Sequence, residues 1–432
     1  MVLDPTHMDH VTRIIGDIDT LVSEYDTSHK QDNINDIISK IRETTVKNDT
    51  LIKLIDDESM LYKDHRHDLA DEYMSHFNEL YAIDSGTINP ITYANGAVFD
   101  ICHGLISSVP VRKELERYRT ISSLIYVPNN DFNISPDTGW NYYDKGYARS
   151  MKLTVSGTMV TRHINDIVHT INMKYTESEH MLWLLDKLAF NSMFIIDGSI
   201  YPKELMYWVV DSGLSMMIRY EPVTQRVLKN YVHIMEKAFK LNVPVLGFVK
   251  NPTDSQIMRS DTMSDMNNWS NDAQLFQYLL NSCDDTSIMK NGITYTGWFR
   301  QENRIYGSSV DRSSPLLDTD NITPLYPPED YDIAFFMAYI PRTHSLFKIE
   351  SLYGFVKDPA TRTRITRQIL SDMALTGSIP KVLNNADHLA KISRYETNRL
   401  RDLVDRKNRV YDYNSHRWGG MESTVITNGS YE

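Results

Sequence analysis

Residues 80–86 read LYAIDSG and residues 193–199 read MFIIDGS, and these two stretches decide the fold class. Each is a short apolar run that ends on an aspartate, Asp84 or Asp197, and passes at once into small residues. Such runs, closed by turn-forming residues, read as buried strands. A carboxylate at the mouth of a buried strand is held at the sheet end where open α/β folds place their sites, and glycine beside it permits close approach. A single aspartate so placed is ordinarily a turn or helix cap. Two in one domain point elsewhere, because carboxylates brought together repel unless a cation lies between them. Oxygen-only ligands suit hard ions such as Mn²⁺ or Mg²⁺.

Working outward, GAVFDICHGLISS (96–108) and SSLIYV (122–127) read as further strands, and the Pro-, Asn- and Gly-containing stretch 128–150 as a loop insertion. A long helix is predicted from about Val160 to Ala189, with Ile164, Ile167, Ile171, Met181, Leu185 and Leu188 near one stripe. Helices are expected over 201–217 and 222–240, and VPVLGFVK (243–250) is another buried strand. Strands at 291–300, 332–340 and 344–350 and closing helices at about 359–376 and 380–407 complete the pattern. Short apolar strands interleaved with helices indicate an α/β domain with a mixed sheet. Residues 1–75 are polar and acidic, with Val11, Ile14, Ile15, Ile18 and Leu21, then Ile34, Ile37, Ile38 and Ile41, at helical spacing. They read as a helical extension that packs on the body or on a partner.

The bulk numbers exclude several classes. The 432 residues are 41% hydrophobic and 24% charged, as in ordinary globular proteins. No run of eighteen apolar residues suggests a membrane span, and the N-terminus lacks a secretory pattern. Two cysteines, Cys102 and Cys283, make no disulfide framework, which points to a reducing, cytoplasmic setting. The net charge of −12 argues on its face against a nucleic-acid partner. Its distribution argues otherwise, since Arg342 to Arg417 carries fifteen Lys/Arg against eight Asp/Glu. Arg362, Arg364 and Arg367 form one basic cluster. Arg394, Arg399, Arg401, Arg406, Lys407 and Arg409 form another.

Several stretches together resemble the NurA nuclease family. LYAIDSGTINPITYANGAVFDICHGLI (80–106) is similar to its opening, with Asp-Ser-Gly standing where the family has an Asp-Gly-Ser-like turn. FIIDGSIYP (194–202) resembles its second Asp-Gly-Ser motif, and PVLGFVKNP (244–252) its Val-Gly-Val-Val-Lys-like strand. LFKIE (346–350) resembles a Phe-Arg-Val-Glu-like strand, with Lys348 in place of the arginine. GSIPKVLNNADHLAKIS (377–393) looks like the closing helix, with Asp387 inserted between Ala386 and His388. The resemblance covers roughly 80–405. It implies an RNase H-like mixed sheet flanked by helices, and a division into an N-terminal helical extension (1–75), a nuclease domain (76–410) and a polar tail (411–432).

It further implies Mn²⁺-dependent 5′–3′ exonuclease and single-strand endonuclease activity, a homodimer, and partnership with a HerA-type hexameric ATPase in DNA end resection. By the same resemblance Asp84 and Asp197 become metal ligands and His388 a ligand or acid/base, although such a histidine alone reads as a helix-surface residue. The family also places a glutamate on the helix before the second aspartate, where Glu177 and Glu179 both qualify. If a helix starts afresh at Ser178, Glu179 completes a capping box with Thr176, which favours Glu177 as the ligand. Lys250, Lys348, Arg362, Arg364, Arg367 and Arg394 are the candidate contacts to single strands and duplex ends. No Ser-His-Asp or Cys-His grammar offers a covalent nucleophile. Two other readings stay open: a catalytically weak dimeric scaffold or DNA-end clamp for a translocase, and a two-metal phosphohydrolase acting on mononucleotides.

Overall fold

The computed structural model describes residues 5–28, 34–46, 49–55, 59–128, 139–156, 164–202, 208–211, 216–219, 222–266, 269–282, 292–301 and 324–405. The N-terminal part carries helices Pro5–Ser28 (α1) and Ile34–Arg42 (α2), strands Glu43–Val46 (β1), Asp49–Leu54 (β2) and Leu61–His65 (β3), and the short helix Arg66–Asp71 (α3). Strands Glu79–Thr92 (β4), Val98–Val109 (β5) and Arg119–Val127 (β6) follow, then Asn141–Tyr143 (β7) and Ala148–Ser156 (β8). Helix Ile164–Leu184 (α4) leads to strand Ser192–Asp197 (β9), the hairpin Trp208–Asp211 (β10) and Met216–Arg219 (β11), helix Pro222–Leu241 (α5) and strand Val245–Val249 (β12). Helix Asp272–Asn281 (α6) precedes strands Gly292–Thr296 (β13), Phe299–Gln301 (β14), Ile333–Ile340 (β15) and Ser345–Leu352 (β16). Helices Tyr353–Val356 (α7), Pro359–Thr376 (α8), Lys381–Ala390 (α9) and Arg394–Asp405 (α10) close the described chain.

One mixed sheet of fourteen strands organises these elements, and its centre runs β6-β5-β4-β9-β12. β4, β5 and β6 form an antiparallel meander, whereas β9 pairs parallel with both β4 and β12. A parallel neighbour needs a crossover, which α4 supplies before β9 and α5 before β12. Numbering these five strands in chain order gives 3-2-1-4-5 with the last two parallel to the first, which is the RNase H-like arrangement. β16 and β15 extend the sheet antiparallel beyond β12.

Strand β15 (IAFFMAYI) is buried on both faces, and its alternation separates two cores. Ala334, Phe336, Ala338 and Ile340 join the main core with β4, β9, β12, α4 and α5. Phe335, Met337 and Tyr339 face a second core built from Ile37, Ile41, Ile52, Leu275 and Phe276.

Several expectations change. The N-terminal segment is helical over α1 and α2, but residues 43–65 supply three strands: β2 pairs with β14 and β3 with β13. The Thr44-Thr45-Val46 and Thr50-Leu51-Ile52 runs are β-formers that outweigh the polar character around them. A hairpin replaces the helix expected over 201–217, in keeping with the Trp208-Val209-Val210 and Met216-Met217-Ile218 runs. The helix expected over 380–407 breaks at 391–393. There Ser393 caps α10, its hydroxyl bonding the Glu396 carboxylate while Glu396 Oε2 accepts the Ser393 N–H. Asp84 does not end its strand; β4 continues to Thr92, and what stops there is its pairing with β9. Of the stretch read as an insertion, 129–138 lies outside the described residues, as do Cys283, Arg406, Lys407, Arg409 and the tail 411–432. Among the described residues no helix is long and apolar enough to cross a membrane.

Candidate metal centre

The parallel register of β4 and β9 ends at the pair Ile83–Ile196. Asp84 and Asp197 are the next residue on each strand, so their backbones lie at one sheet end roughly one strand spacing apart and their side chains leave the same face. Asp84 Oδ1 accepts the Ser85 N–H (2.8 Å), and the Ser85 hydroxyl donates to Glu177 Oε1 (2.7 Å) on α4. The same serine therefore fixes two of the acids. α4 comes close enough because Gly104 on β5 has no side chain; a Cβ there would lie 2.9 Å from Thr176 Cγ2.

Two lysines partly balance these charges. Lys174 Nζ, one helical turn before Glu177, donates to its Oε2 (3.1 Å) and reaches to 4.0 Å from where a Cβ on Gly198 would lie. Lys250, just beyond β12, donates to Asp197 Oδ2 (2.6 Å). Among the described residues no lysine donates to Asp84. Burial, then Glu177, and further Asp197 and Asp387 push its pKa up to about 7 against the Ser85 hydrogen bond. Among the described residues, four acids (Asp84, Glu177, Asp197, Asp387) face two lysines, so the group is short of positive charge. A single divalent cation would supply that charge, and the all-carboxylate donor set suits Mn²⁺ or Mg²⁺.

Glu179 is held elsewhere. Its Oε1 accepts Arg226 Nη2 (3.0 Å) and Asn230 Nδ2 (3.2 Å), and Arg149 Nη2 lies 3.8 Å from Oε2. Arg149 is itself sandwiched between the rings of Trp140 and Trp183, its Cζ at 3.9 and 4.5 Å from the centroids. This is a structural joint between β8, α4 and α5, and it removes Glu179 from the acidic group.

Most basic candidates also have intramolecular duties. Lys348 is buried and pairs with Glu350 (2.9 Å) and Asp254 (3.0 Å). Arg362 is buried and donates to the Val356 carbonyl (2.6 Å). Arg364 donates to the His76 carbonyl (2.9 Å), and Arg367 pairs with Asp64 (2.9 Å) and Glu72 (2.6 Å). These four side chains tie the sheet and its helices together; Lys348 and Arg362 are buried, while Arg364 and Arg367 are half-buried. Arg394 is exposed at the start of α10, and Lys250 is in the acidic group itself.

The NurA domain model matches residues 78–395, most of the chain and every acid of this group. The chain belongs to the NurA family. Among solved structures it is similar to the NurA nuclease from Sulfolobus solfataricus, with 12% identity over 94% of this chain and 97% of that one and a TM-score of 0.48. It is also similar to a NurA solved with manganese, with 10% identity over 93% of this chain and 98% of that one and a TM-score of 0.41. An endonuclease V from Ciona intestinalis in complex with DNA matches at 10% identity over 78% of this chain and 95% of that one, with a TM-score of 0.28. No individually curated protein matches.

Two departures from the NurA pattern now have local reasons. With Ser85 next to Asp84, the hydroxyl reaches Glu177, and the displaced glycine, Gly86, lies directly under the Ala390 carbonyl of α9. A Cβ at 86 would collide with that carbonyl. Gly86→Ala is therefore expected to push α9 off β4 and to lower the melting temperature, read by calorimetry; an unchanged melting curve would contradict this packing.

The second departure concerns α9. Val382, Leu383, Ala386 and Ala390 are its buried positions, and Asp387, four residues after Leu383, flanks that stripe. Its charge acts on Asp84. His388 is exposed one residue further round, with no hydrogen bond or ion pair among the described residues. Asp387 and His388 are both exposed on α9, and it is the charge of Asp387 that reaches Asp84. The Ala-Asp-His run carried that possibility in sequence.

Proposed function

We propose that this NurA-family chain is a metal-dependent DNA nuclease whose centre is Asp84, Glu177 and Asp197, with Asp387 as a fourth acid. The observation that carries it is the excess of carboxylates over cations, among the described residues, where β4, β9 and α4 meet. A divalent ion held there would lower the pKa of water and neutralise charge developing on a phosphodiester. The chain's own groups do the rest. Ser85 fixes Glu177 and one oxygen of Asp84, leaving Asp84 Oδ2 to take up a proton. Lys250 and Lys174 hold Asp197 and Glu177 in place, and the partly exposed Lys250 ammonium would offer a cation to a phosphate. Arg394 and other exposed cations of the last helix would hold the strand by its backbone, without reading sequence.

The decisive comparison is Glu177→Gln against Glu179→Gln, using Mn²⁺-dependent degradation of labelled single-stranded DNA. Glu177→Gln is expected to lose roughly a hundred-fold or more in rate, the scale of losing one preorganised charged group, whereas Glu179→Gln keeps activity within a few-fold. Equal losses in both, or in neither, would contradict the assignment. Activity on mononucleotides without activity on polymers would favour the phosphohydrolase reading. Neither the Asp-Ser-Gly turn nor Lys348 calls for the scaffold reading, since Ser85 bonds Glu177 and Lys348 is part of a buried ion-pair network.

A homodimer, work with a HerA-type hexameric ATPase in end resection, 5′–3′ polarity and a reducing cytoplasmic setting belong to the same proposal. The docking element would be α1, whose Met8, Ile14, Ile15, Ile18 and Leu21 are exposed. Because α2 supplies Ile37 and Ile41 to the second core and residues 43–65 are part of the sheet, a deletion that probes docking must be confined to α1.

A further inference from the structure

A second group of metal-binding side chains lies on the α4 side of the sheet, and nothing in the nuclease reading uses it. Asp100 and Cys102 are two apart on β5, so their side chains share one face, and His169 comes from the first half of α4 above them. One ligand atom from each lies within 4.8 Å of the other two. Cys102 Sγ is 3.4 Å and His169 Nδ1 3.5 Å from Asp100 Oδ2.

Those separations match a tetrahedral ion. Zinc bonds of about 2.0–2.3 Å to oxygen, nitrogen and sulfur correspond to ligand–ligand edges of roughly 3.3–3.8 Å. Charge agrees as well: a carboxylate, a thiolate and a neutral imidazole balance a divalent cation, which a buried site requires. Asp100 and Cys102 are fully buried, while the His169 side chain is 27% exposed and gives an ion a way in. Asp100 is already oriented from outside the trio, by Asn172 Nδ2 (2.9 Å) and the Thr87 hydroxyl (3.3 Å). Such partners are the usual support of a ligating carboxylate. Thr87 Oγ1, also 3.5 Å from His169 Nδ1, sits where a fourth ligand or a water would stand.

We propose that Asp100, Cys102 and His169 form a zinc site, separate in ligand chemistry from the all-carboxylate centre. A thiolate–imidazole–carboxylate set selects zinc, whereas oxygen-only ligands select Mn²⁺ or Mg²⁺. Binding would release the Cys102 thiol proton to solvent and leave the sulfur as a ligand. The ion would pin β5 to α4 eight residues before Glu177, about two helical turns away.

The test reads metal content, not activity, so its failure is distinguishable from failure of the nuclease reading. The full chain is incubated with Zn²⁺, desalted over a chelating resin and assayed by elemental mass spectrometry, with Co²⁺ substitution followed by absorbance. The expected result is stoichiometric zinc and a thiolate-to-cobalt charge-transfer band in the wild type and in Asp84→Asn. Both signals should vanish in Cys102→Ser and in His169→Gln. His169→Gln alters a partly exposed side chain and decides the matter if Cys102→Ser does not fold, with circular dichroism monitoring the fold. A wild type that retains no zinc overturns the site, as does zinc retained in folded His169→Gln or lost in Asp84→Asn.

Discussion

Asp84→Asn is expected to lower Mn²⁺-dependent cleavage of single-stranded DNA by at least ~10³-fold, the scale of losing one member of a catalytic group. The same substitution should raise the thermal stability of the metal-free protein near pH 8. Both effects have one cause. Asp84 lies among Glu177, Asp197 and Asp387, and burial with their charges lifts its pKa from 3.8 to about 7. The folded state thus binds a proton that the unfolded chain has released. Its contribution to stability is fully present below pH ~4 and is lost as pH rises through about 7. A shift of one unit is worth about 1.4 kcal/mol. Allowing for screening of a partly exposed group, the loss is on the order of a few kcal/mol at most.

Asparagine carries no charge to repel, so the variant and the wild type should diverge in melting temperature between pH 4 and 8 and converge below. Mn²⁺ should stabilise the wild type at pH 8 and not the variant, and its affinity for the wild type should weaken as pH falls through 7, because the proton competes for the same oxygen. Asp197→Asn should lose cleavage equally, since it removes the neighbouring ligand and strands Lys250. A folded Asp84→Asn that still cleaves, or that melts lower than wild type at every pH, would remove the carboxylate centre from the account.

The strands that build this site were legible because they are continuous apolar runs, 80–84, 193–197 and 243–250, with their acids in the next turn of sequence. The β1, β2 and β3 strands were not. They are short and half-exposed, and they owe their conformation to β13 and β14, more than 200 residues away. The choice between Glu177 and Glu179 was not legible from periodicity, since α4 is buried all round from Tyr175 to Met181 and shows no polar face to set its phase. The capping argument for Glu177 rested on a helix start at Ser178, and α4 in fact runs unbroken through it. What separates the two is tertiary: Ser85 on one side, and Arg226, Asn230 and Arg149 on the other. On α9 a difference of one residue is a rotation of about 100°. The inserted Asp387 therefore turns His388 about 100° further round than an Ala-His run would place it. Counting charges could not tell solvated arginines from the buried Arg362 or from Arg367, which is half-buried and paired with Asp64 and Glu72.

Lys348→Met carries the largest expected effect on stability, and it separates two readings of a residue that sequence placed against DNA. Lys348 is 6% exposed and Glu350 is fully buried; they are 2.9 Å apart on the same face of β16, with Asp254 3.0 Å from the ammonium and the ring centroid of Phe335 at 4.7 Å. Glu350 Oε2 in turn accepts the Ile200 N–H (3.0 Å), holding the backbone that follows Asp197, and Gly247 leaves room for that turn. Removing one partner of a buried pair leaves the other charge uncompensated, at a cost of about 3–5 kcal/mol. Lys348→Met should therefore depress the denaturation midpoint sharply at any ionic strength. The double variant with Glu350→Gln should recover a large part of the loss, because the stranded charge goes with it. A phosphate-contacting lysine predicts the reverse: an unchanged midpoint, weaker DNA binding for all sequences alike, and a salt dependence shallower by about one counterion. Denaturant titration beside salt-dependent DNA binding on the same variant decides between them. The buried-pair reading fails if stability is untouched while the salt slope falls.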